Sequence, residues 1–317
     1  MAEPTVEEPV IRTRGLTKTY GARAAVRGLD LQVPRGCAFG LLGQNGAGKT
    51  TTIRMLLGLV RPSAGDVLLF GRSLAQERLA LLPRIGCLVE GPAFYPYLSA
   101  RKNLKCLGDV AGGVSWERVS ACLARVGLGD RGDDLYRGFS TGMRQRLGIA
   151  SALLLDPELV ILDEPVSGLD PPAVLVVRRL IRDLVEREGK TVVVSSHLLN
   201  EVEVSCDRVA VLEKGQVVAT GKVSDLLRPD QAWVDVVCGE PERAAELARG
   251  LEGVRDVEVR ADGIAAVLEG PLQATLNRRL VEAGLAVSAF VPRKRTLEEL
   301  FHELAGTAKV QAGELAS

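Results

Sequence analysis

LLGQNGAGKTT, residues 41–51, sets Gly43, Gly46 and Gly48 between an apolar run that reads as a strand and a run with helical spacing. Glycine weakens the interior of either element, so bare backbone must serve something at this junction. GQNGAGKT has every fixed position of G-x-x-x-x-G-K-[ST], the phosphate-binding loop. Such a loop holds a polyphosphate by turning backbone N–H groups inward, here along Gly43, Gln44, Asn45, Gly46, Ala47 and Gly48, and small residues let the backbone come close. The N-terminus of the following helix adds positive dipole character. In that geometry Lys49 reaches the β- and γ-phosphates of a nucleotide, the Thr50 hydroxyl binds Mg²⁺, and Thr51 follows in the same first turn; the loop alone gives only a nucleotide-binding protein. A plain glycine turn between strand and helix requires neither the lysine nor the threonines.

Two further apolar runs end in residues able to do chemistry. LVILDEP, residues 159–165, carries Asp163 and Glu164 at a strand's carboxyl end, and TVVVSSH, residues 191–197, ends on His197. Acids on a buried strand are costly unless they are used. Asp163 is therefore a candidate Mg²⁺ partner and Glu164 a candidate general base for water. Between these runs, PPAVLVVRRLIRDLVEREG reads as an amphipathic helix opened by proline, where proline is tolerated. Strands alternating with helices predict an α/β fold of the P-loop class, a mainly parallel sheet with ligands outside the strand carboxyl ends. VIRTRGLTKTYG and AAVRGLDLQVPRG predict antiparallel strands ahead of the loop, residues 98–150 are helical in pattern, and RVAVLEKGQVVATG reads as a hairpin turning at Lys214 and Gly215.

The stretch FSTGMRQRLGIASALLLDPELVILDEP, residues 139–165, resembles the signature-to-Walker-B run of the ATP-binding cassette (ABC) family. Ser140 and Gly142 fall on the serine and second glycine of that family's L-S-G-G-Q signature, while Thr141 and Met143 depart from it. SGLD at 167–170, with Asp170, is similar to the family's D-loop, His197 to its switch histidine, and Tyr20 in LTKTYG to the aromatic that stacks on adenine. These motifs span about residues 10–221 in the family's order. The resemblance implies an ABC cassette: a RecA-like core with antiparallel β and helical subdomains, hydrolysing ATP with Mg²⁺. It also implies a dimer in which two cassettes dock head to tail around two ATPs, each phosphate loop facing the other's signature. A homodimer is the expected form, with a pair of this chain and a relative as the alternative.

IGCLVEGPAFYPYLSARKNL, residues 85–104, resembles the corresponding segment of ATPase subunits of bacterial drug, antibiotic-peptide and polysaccharide exporters. That resemblance implies a separate membrane-spanning permease as partner, contacting the region from Phe94 to Leu104. Two tyrosines and two prolines in a loop fit an interface better than a core. Glu90 stands where most of the family has a glutamine near the metal, which makes it a third expected Mg²⁺ ligand beside Thr50 and Asp163. The reading is thus the ATPase subunit of an exporter at the cytoplasmic face of the membrane. The alternative is a soluble regulatory ABC ATPase acting on ribosome or nucleic acid.

Composition bounds these readings. The 317 residues suffice for two domains, with 46% apolar and 25% charged residues, the profile of a globular chain with a large core. Forty basic and forty acidic residues cancel, so bulk binding of nucleic acid is not expected. Six cysteines lie without a C-x-x-C pair, mostly in apolar runs, and are expected as buried reduced thiols. MAEPTVEEPV has no signal-peptide core, and no window approaches the run of about 18 apolar residues a membrane span needs. The expected division is a disordered leader at 1–9, the cassette at 10–221, a linker at 222–231, an accessory α+β domain at 232–306 and a tail at 307–317. In the accessory domain the order strand, helix, strand, strand, helix, strand predicts a ferredoxin-like arrangement, followed by a helix over TLEELFHELAG.

Overall fold

The structure, a computed structural model, describes residues 8–227, 231–293 and 296–297. The helix expected over TLEELFHELAG, the tail and most of the leader lie outside the described residues. The chain divides into two compact units, Met1–Lys222 and Val223–Ser317.

The first unit opens with β1 (Ile11–Tyr20), β2 (Arg23–Leu29) and β3 (Gln32–Val33). Then β4 (Ala38–Leu42) runs into the glycine loop and α1 (Lys49–Leu56) leaves it. β5 (Ala64–Leu69) and β6 (Arg72–Ser73) return to an antiparallel sheet of order β2-β1-β5-β6, with β3 paired to β1. After α2 (Leu74–Leu81) and β7 (Ile85–Leu88) come three helices, α3 (Ala100–Val110), α4 (Trp116–Arg125) and α5 (Thr141–Ala152). Each of the three is capped by a serine whose hydroxyl accepts a backbone N–H: Ser99 from Lys102, Ser115 from Arg118 and Ser140 from Met143. Each cap contributes about 1 kcal/mol. β8 (Leu159–Asp163), α6 (Pro171–Glu186), β9 (Thr191–Ser196), α7 (Leu199–Ser205), β10 (Arg208–Glu213) and β11 (Gln216–Lys222) complete the unit.

The second sheet of this unit has the order β11-β10-β4-β9-β8-β7, parallel from β10 to β7 with β11 antiparallel at the edge. β4, β8 and β9 are buried along their whole length. Their near-continuous apolar sequences are what a parallel strand covered on both faces requires. Phe39 and Leu41 of β4, Ile53 and Met55 of α1, Ile161 of β8 and Val193 of β9 share one core, and burying such a side chain contributes roughly 1.5–3 kcal/mol. The register sets Leu42 beside Ser196 and Asp163 beside Ser195. Three strands thus end side by side, at the point where the glycine loop begins.

The second unit starts with one helical turn, α8 (Val223–Leu226), inside the stretch expected as linker. β12 (Gln231–Cys238), α9 (Pro241–Arg249), β13 (Val254–Arg260), β14 (Gly263–Glu269), α10 (Gln273–Glu282) and β15 (Val287–Arg293) follow. The antiparallel sheet has the order β13-β14-β12-β15, a ferredoxin-like arrangement. Alternation along the strands sends Val234, Val236, Ile264 and Ala266 into a core with Ala244, Ala248, Leu276 and Leu280 of the helices.

All six cysteines are free thiols, but only Cys37, Cys122, Cys206 and Cys238 are buried. Cys87 and Cys106 are exposed: Cys87 falls on the outward side of β7's alternation, and Cys106 lies on the face of α3 opposite its buried residues. Among the described residues, no helix is long and apolar enough to cross a membrane.

Candidate functional site

The loop between β4 and α1 is shaped by two crowded glycines. A Cβ on Gly43 would stand 2.4 Å from the Leu212 carbonyl oxygen. On Gly48, which has φ +104°, it would stand 2.7 Å from that of Ala25. Lys49, the first residue of α1, is nearly buried, with its side chain 6% exposed. Its Nζ donates to the carbonyls of Gly43 (2.6 Å) and Gln44 (3.4 Å) and lies 3.5 Å from Glu164 Oε1. One residue on, Thr50 Oγ1 donates to Asp163 Oδ2 at 2.9 Å.

Asp163 ends β8 in a buried position, and its other carboxylate oxygen accepts from the hydroxyl of Ser195, at the matching register of β9. Ser195 in turn accepts from the Glu164 N–H at 2.9 Å. Glu164 has φ +49°, a left-handed conformation that costs a non-glycine residue about 1–2 kcal/mol. This turn swings its side chain between two partners: Oε1 faces Lys49, and Oε2 accepts from His197 Nδ1 at 2.8 Å. On the far side of the peptide, Gln145 Nε2 of α5 donates to the Glu164 carbonyl at 3.2 Å.

These groups open onto a cleft of about 560 Å³. Gln44, Asn45, Gly46, Gly48, Lys49, Thr50 and Thr51 form its floor, Glu164 and His197 line it as well, and Tyr20 at the end of β1 lines it as a half-exposed ring. Gly43 and Ala47 belong to the same loop but face the protein, both buried. A separate cavity of about 520 Å³, between the end of α1, β5 and the start of α2, contains none of these residues.

The structure does not bring Ser140, Gly142, Asp170 or Glu90 into the cleft. Ser140 caps α5, with Gly142 in its first turn, and Asp170 caps α6 by accepting from Ala173 N–H at 3.0 Å. Glu90 was expected beside the metal. Its backbone instead turns through φ +64°, and its largely exposed carboxylate is taken by the guanidinium of Arg54, one helical turn beyond Thr50. Sequence reasoning missed Ser195, Gln145 and the cleft-lining Arg23, while Ser167, the first residue of the SGLD motif, lines the cleft where Asp170 does not. Ser195 had a signal, a polar residue in a buried apolar strand, the same one that marked Asp163. Gln145 had none, since one glutamine in a helix is ordinary.

A hard divalent cation takes oxygen ligands, and Mg²⁺ is commonly held by one or two protein oxygens with phosphate and water completing its shell. The hydroxyl of Thr50, which lines the cleft, and the carboxylate of Asp163, buried behind it and in contact with it, fit that donor set. Among the described residues no cluster of three or more His, Cys, Asp or Glu offers a site made by protein alone.

The ABC transporter family profile matches residues 26–167. The chain is 39% identical to the bacitracin transport ATP-binding protein BcrA of Bacillus licheniformis over 94% of this chain and 97% of that one. It is 36% identical to the daunorubicin/doxorubicin resistance ATP-binding protein DrrA of Streptomyces peucetius, over 93% of this chain and 92% of that one. Among solved structures, it is similar to a dimeric ATP-binding cassette in a post-hydrolysis state bound to ADP and Pi. That likeness has a TM-score of 0.63 and 25% identity, covering 67% of this chain and 98% of the other. A phosphate loop at the carboxyl end of an interior strand of a parallel sheet, facing an acid pair and a histidine, defines an ATPase cassette. The chain belongs to the ABC transporter family, as one of its ATP-binding proteins. It binds ATP and hydrolyses it.

Proposed function

We propose that this chain is the ATP-hydrolysing subunit of a bacterial exporter, working as a head-to-tail pair of cassettes on a separate membrane subunit at the cytoplasmic face. The observation that carries the reading is the placement of Glu164 between Lys49 and His197 at the rim of a phosphate-binding cleft. In this reading the amides of Gln44 to Gly48 and the Lys49 ammonium bind the phosphates, Thr51 supports the same turn, and Tyr20 stacks on adenine. Thr50 and Asp163 hold Mg²⁺, which when bound neutralises charge on the β- and γ-phosphates. Glu164 accepts the proton of the attacking water, and His197 orients that carboxylate from its other oxygen. Ser140, Gly142 and Asp170 serve the nucleotide held by the opposite cassette, which accounts for their distance from the cleft of their own chain.

Residues 94–104 form the proposed permease contact. Phe94 anchors this loop edge-to-face on Tyr136, with ring centroids 5.3 Å apart. The buried Asn103 side chain accepts from Tyr95 N–H and donates to the carbonyls of Tyr95, Leu98 and Ser99. The loop is thereby rigid, while Tyr95 and Tyr97 remain 56% and 68% exposed. A rigid scaffold presenting exposed aromatics matches the composition of interface cores. The names of BcrA and DrrA, for bacitracin transport and daunorubicin/doxorubicin resistance, support an antibiotic or drug as the exported substrate. The reading as a regulatory ATPase on ribosome or nucleic acid finds no support in those relatives or in the balanced charge.

Glu164→Gln is expected to lower ATP turnover by about 10²–10⁴-fold, the scale of a lost general base, while ATP binding persists. Turnover within a few-fold of wild type would remove Glu164 from that role. Glu90→Gln tests the remaining metal assignment: with Arg54 already holding the carboxylate, the half-saturating Mg²⁺ concentration is expected to move less than about two-fold. A larger rise in a Mg²⁺ titration of the ATPase rate would put Glu90 at the metal. Co-purification with a membrane protein, rather than with ribosomes, tests the partner.

A further inference from the structure

Glu164 is the one cleft residue whose backbone lies in the left-handed region without being glycine. Two side chains from different elements hold its two peptide groups. On the amide side, the buried hydroxyl of Ser195 accepts from Glu164 N–H at 2.9 Å while donating to Asp163. On the carbonyl side, Gln145 Nε2 donates at 3.2 Å. Ser195 comes from β9, 31 residues away, and Gln145 from α5, 19 residues away.

We propose that Ser195 and Gln145 are positioning residues, a two-sided clamp that fixes the backbone of Glu164 and so aims its carboxylate during hydrolysis. The inference rests on the reading of Glu164 as the base.

The physical case is one of competing conformations. Glu164 relaxes to a right-handed or extended conformation unless something holds it. Its N–H also donates to the Ser195 carbonyl, at 3.2 Å, so β9 supplies both acceptors on that side. A peptide that rotates carries the carboxylate away from His197 Nδ1 and Lys49 Nζ together, because both contacts depend on the same χ1 direction. The Ser195 hydroxyl has a single proton, which it gives to Asp163, so its lone pair is left for Glu164. One buried oxygen therefore ties the Mg²⁺-side carboxylate to the base. Gln145 adds a link to α5, which is capped by Ser140 and has Gly142 in its first turn. A shift of that helix pulls on the Glu164 carbonyl directly. The base is thus set by the start of α5 as well as by its own strand.

The test separates aim from binding. Ser195→Ala and Gln145→Leu keep volume or shape but remove the hydrogen bonds. Each is expected to lower kcat by about 10–100-fold, the scale of a misplaced catalytic group. KM for ATP and the affinity for a fluorescent ATP analogue without Mg²⁺ should stay within about two-fold of wild type. Ser195→Thr, which keeps the hydroxyl, should restore kcat; Ser195→Cys should not. Combined with Glu164→Gln, neither change should slow turnover further, since the group being aimed is already gone. Unchanged kcat in both single variants, or a kcat loss in Ser195→Ala that Ser195→Thr fails to restore, overturns the clamp. An equal loss of analogue affinity without Mg²⁺ overturns it too, because it shows a damaged cleft. If instead Glu164→Gln itself keeps its turnover, the reading of the base fails first, and that result is distinct from either.

Discussion

The two sheets of the molecule spend their polar residues in opposite ways. In the six-stranded sheet the buried strands β4 and β8 are apolar up to Asp163, and in β9 Ser195 and Ser196 follow a run of three valines at the carboxyl end. In the four-stranded sheet polar residues alternate along the strands. Asp235 of β12 sits between Arg260 of β13 and Arg293 of β15, at 3.1 Å from each. A parallel sheet covered on both faces leaves polar side chains nowhere to go but its ends, which concentrates them into a site. An antiparallel sheet with one face on its helices lets opposite charges neutralise each other across the other face. The first arrangement makes a reactive cleft, and the second balances its charges strand against strand.

On that contrast, the first unit is expected to be much less tolerant of small changes near its strand ends. Gly48→Ala forces a Cβ into φ +104° and to 2.7 Å from a backbone oxygen, and should destabilise the chain by about 1–3 kcal/mol. Gly239, just beyond β12, has nothing within 4 Å of an added Cβ, and Gly239→Ala should change stability by less than about 0.5 kcal/mol. Denaturant titration of both variants reads the difference. Equal costs would break the comparison.

A smaller effect comes from thiols buried beneath the parallel sheet. Burial, with the charge of Asp207, pushes Cys37 up to about 11 and Cys206 up to about 12, from an ordinary value of 9.0. Above pH 9 the unfolded chain releases these protons and the folded chain retains them. Stability contributed by the neutral thiols is therefore complete below pH 9 and is lost as pH rises toward 11–12. The loss is at most about 1.4 kcal/mol per pH unit for each thiol. Melting curves from pH 8 to 10 should show a shallower decline in Cys206→Ala than in the parent. Parallel declines would mean that the thiol stays protonated in the unfolded chain too.

The smallest effect belongs to the second sheet. Asp235→Asn removes a partly exposed partner of two arginines, and exposed pairs are worth about 0.2–1 kcal/mol. The change should fall in that range and shrink in high salt. A cost above 2 kcal/mol in denaturant titration would show that this face is not a tolerant one.

Much of the site was legible because each of its motifs is local. The glycines, Lys49 and Thr50 lie within one strand–loop–helix turn, and Asp163 and Glu164 are adjacent at the end of a strand whose apolar run announces it. The α/β class followed from strands alternating with helices, and the ferredoxin-like order of the second unit from period-two alternation. Spacing along one element carries this information because backbone geometry fixes which neighbours share a turn or a face.

Other features required the register between elements distant in sequence. Ser195 meets Asp163 because β8 and β9 pair in parallel with those two residues side by side. Gln145 reaches the Glu164 carbonyl because α5 returns to the end of β8. Glu90 turns to Arg54 rather than to the cleft, a choice between two partners that the sequence offered equally. The sequence by itself determined which chemical groups this protein has and that a phosphate-binding turn presents them. Only the tertiary structure decided which of those groups touch, because hydrogen bonds between elements depend on ångström-scale register that packing of the whole core sets.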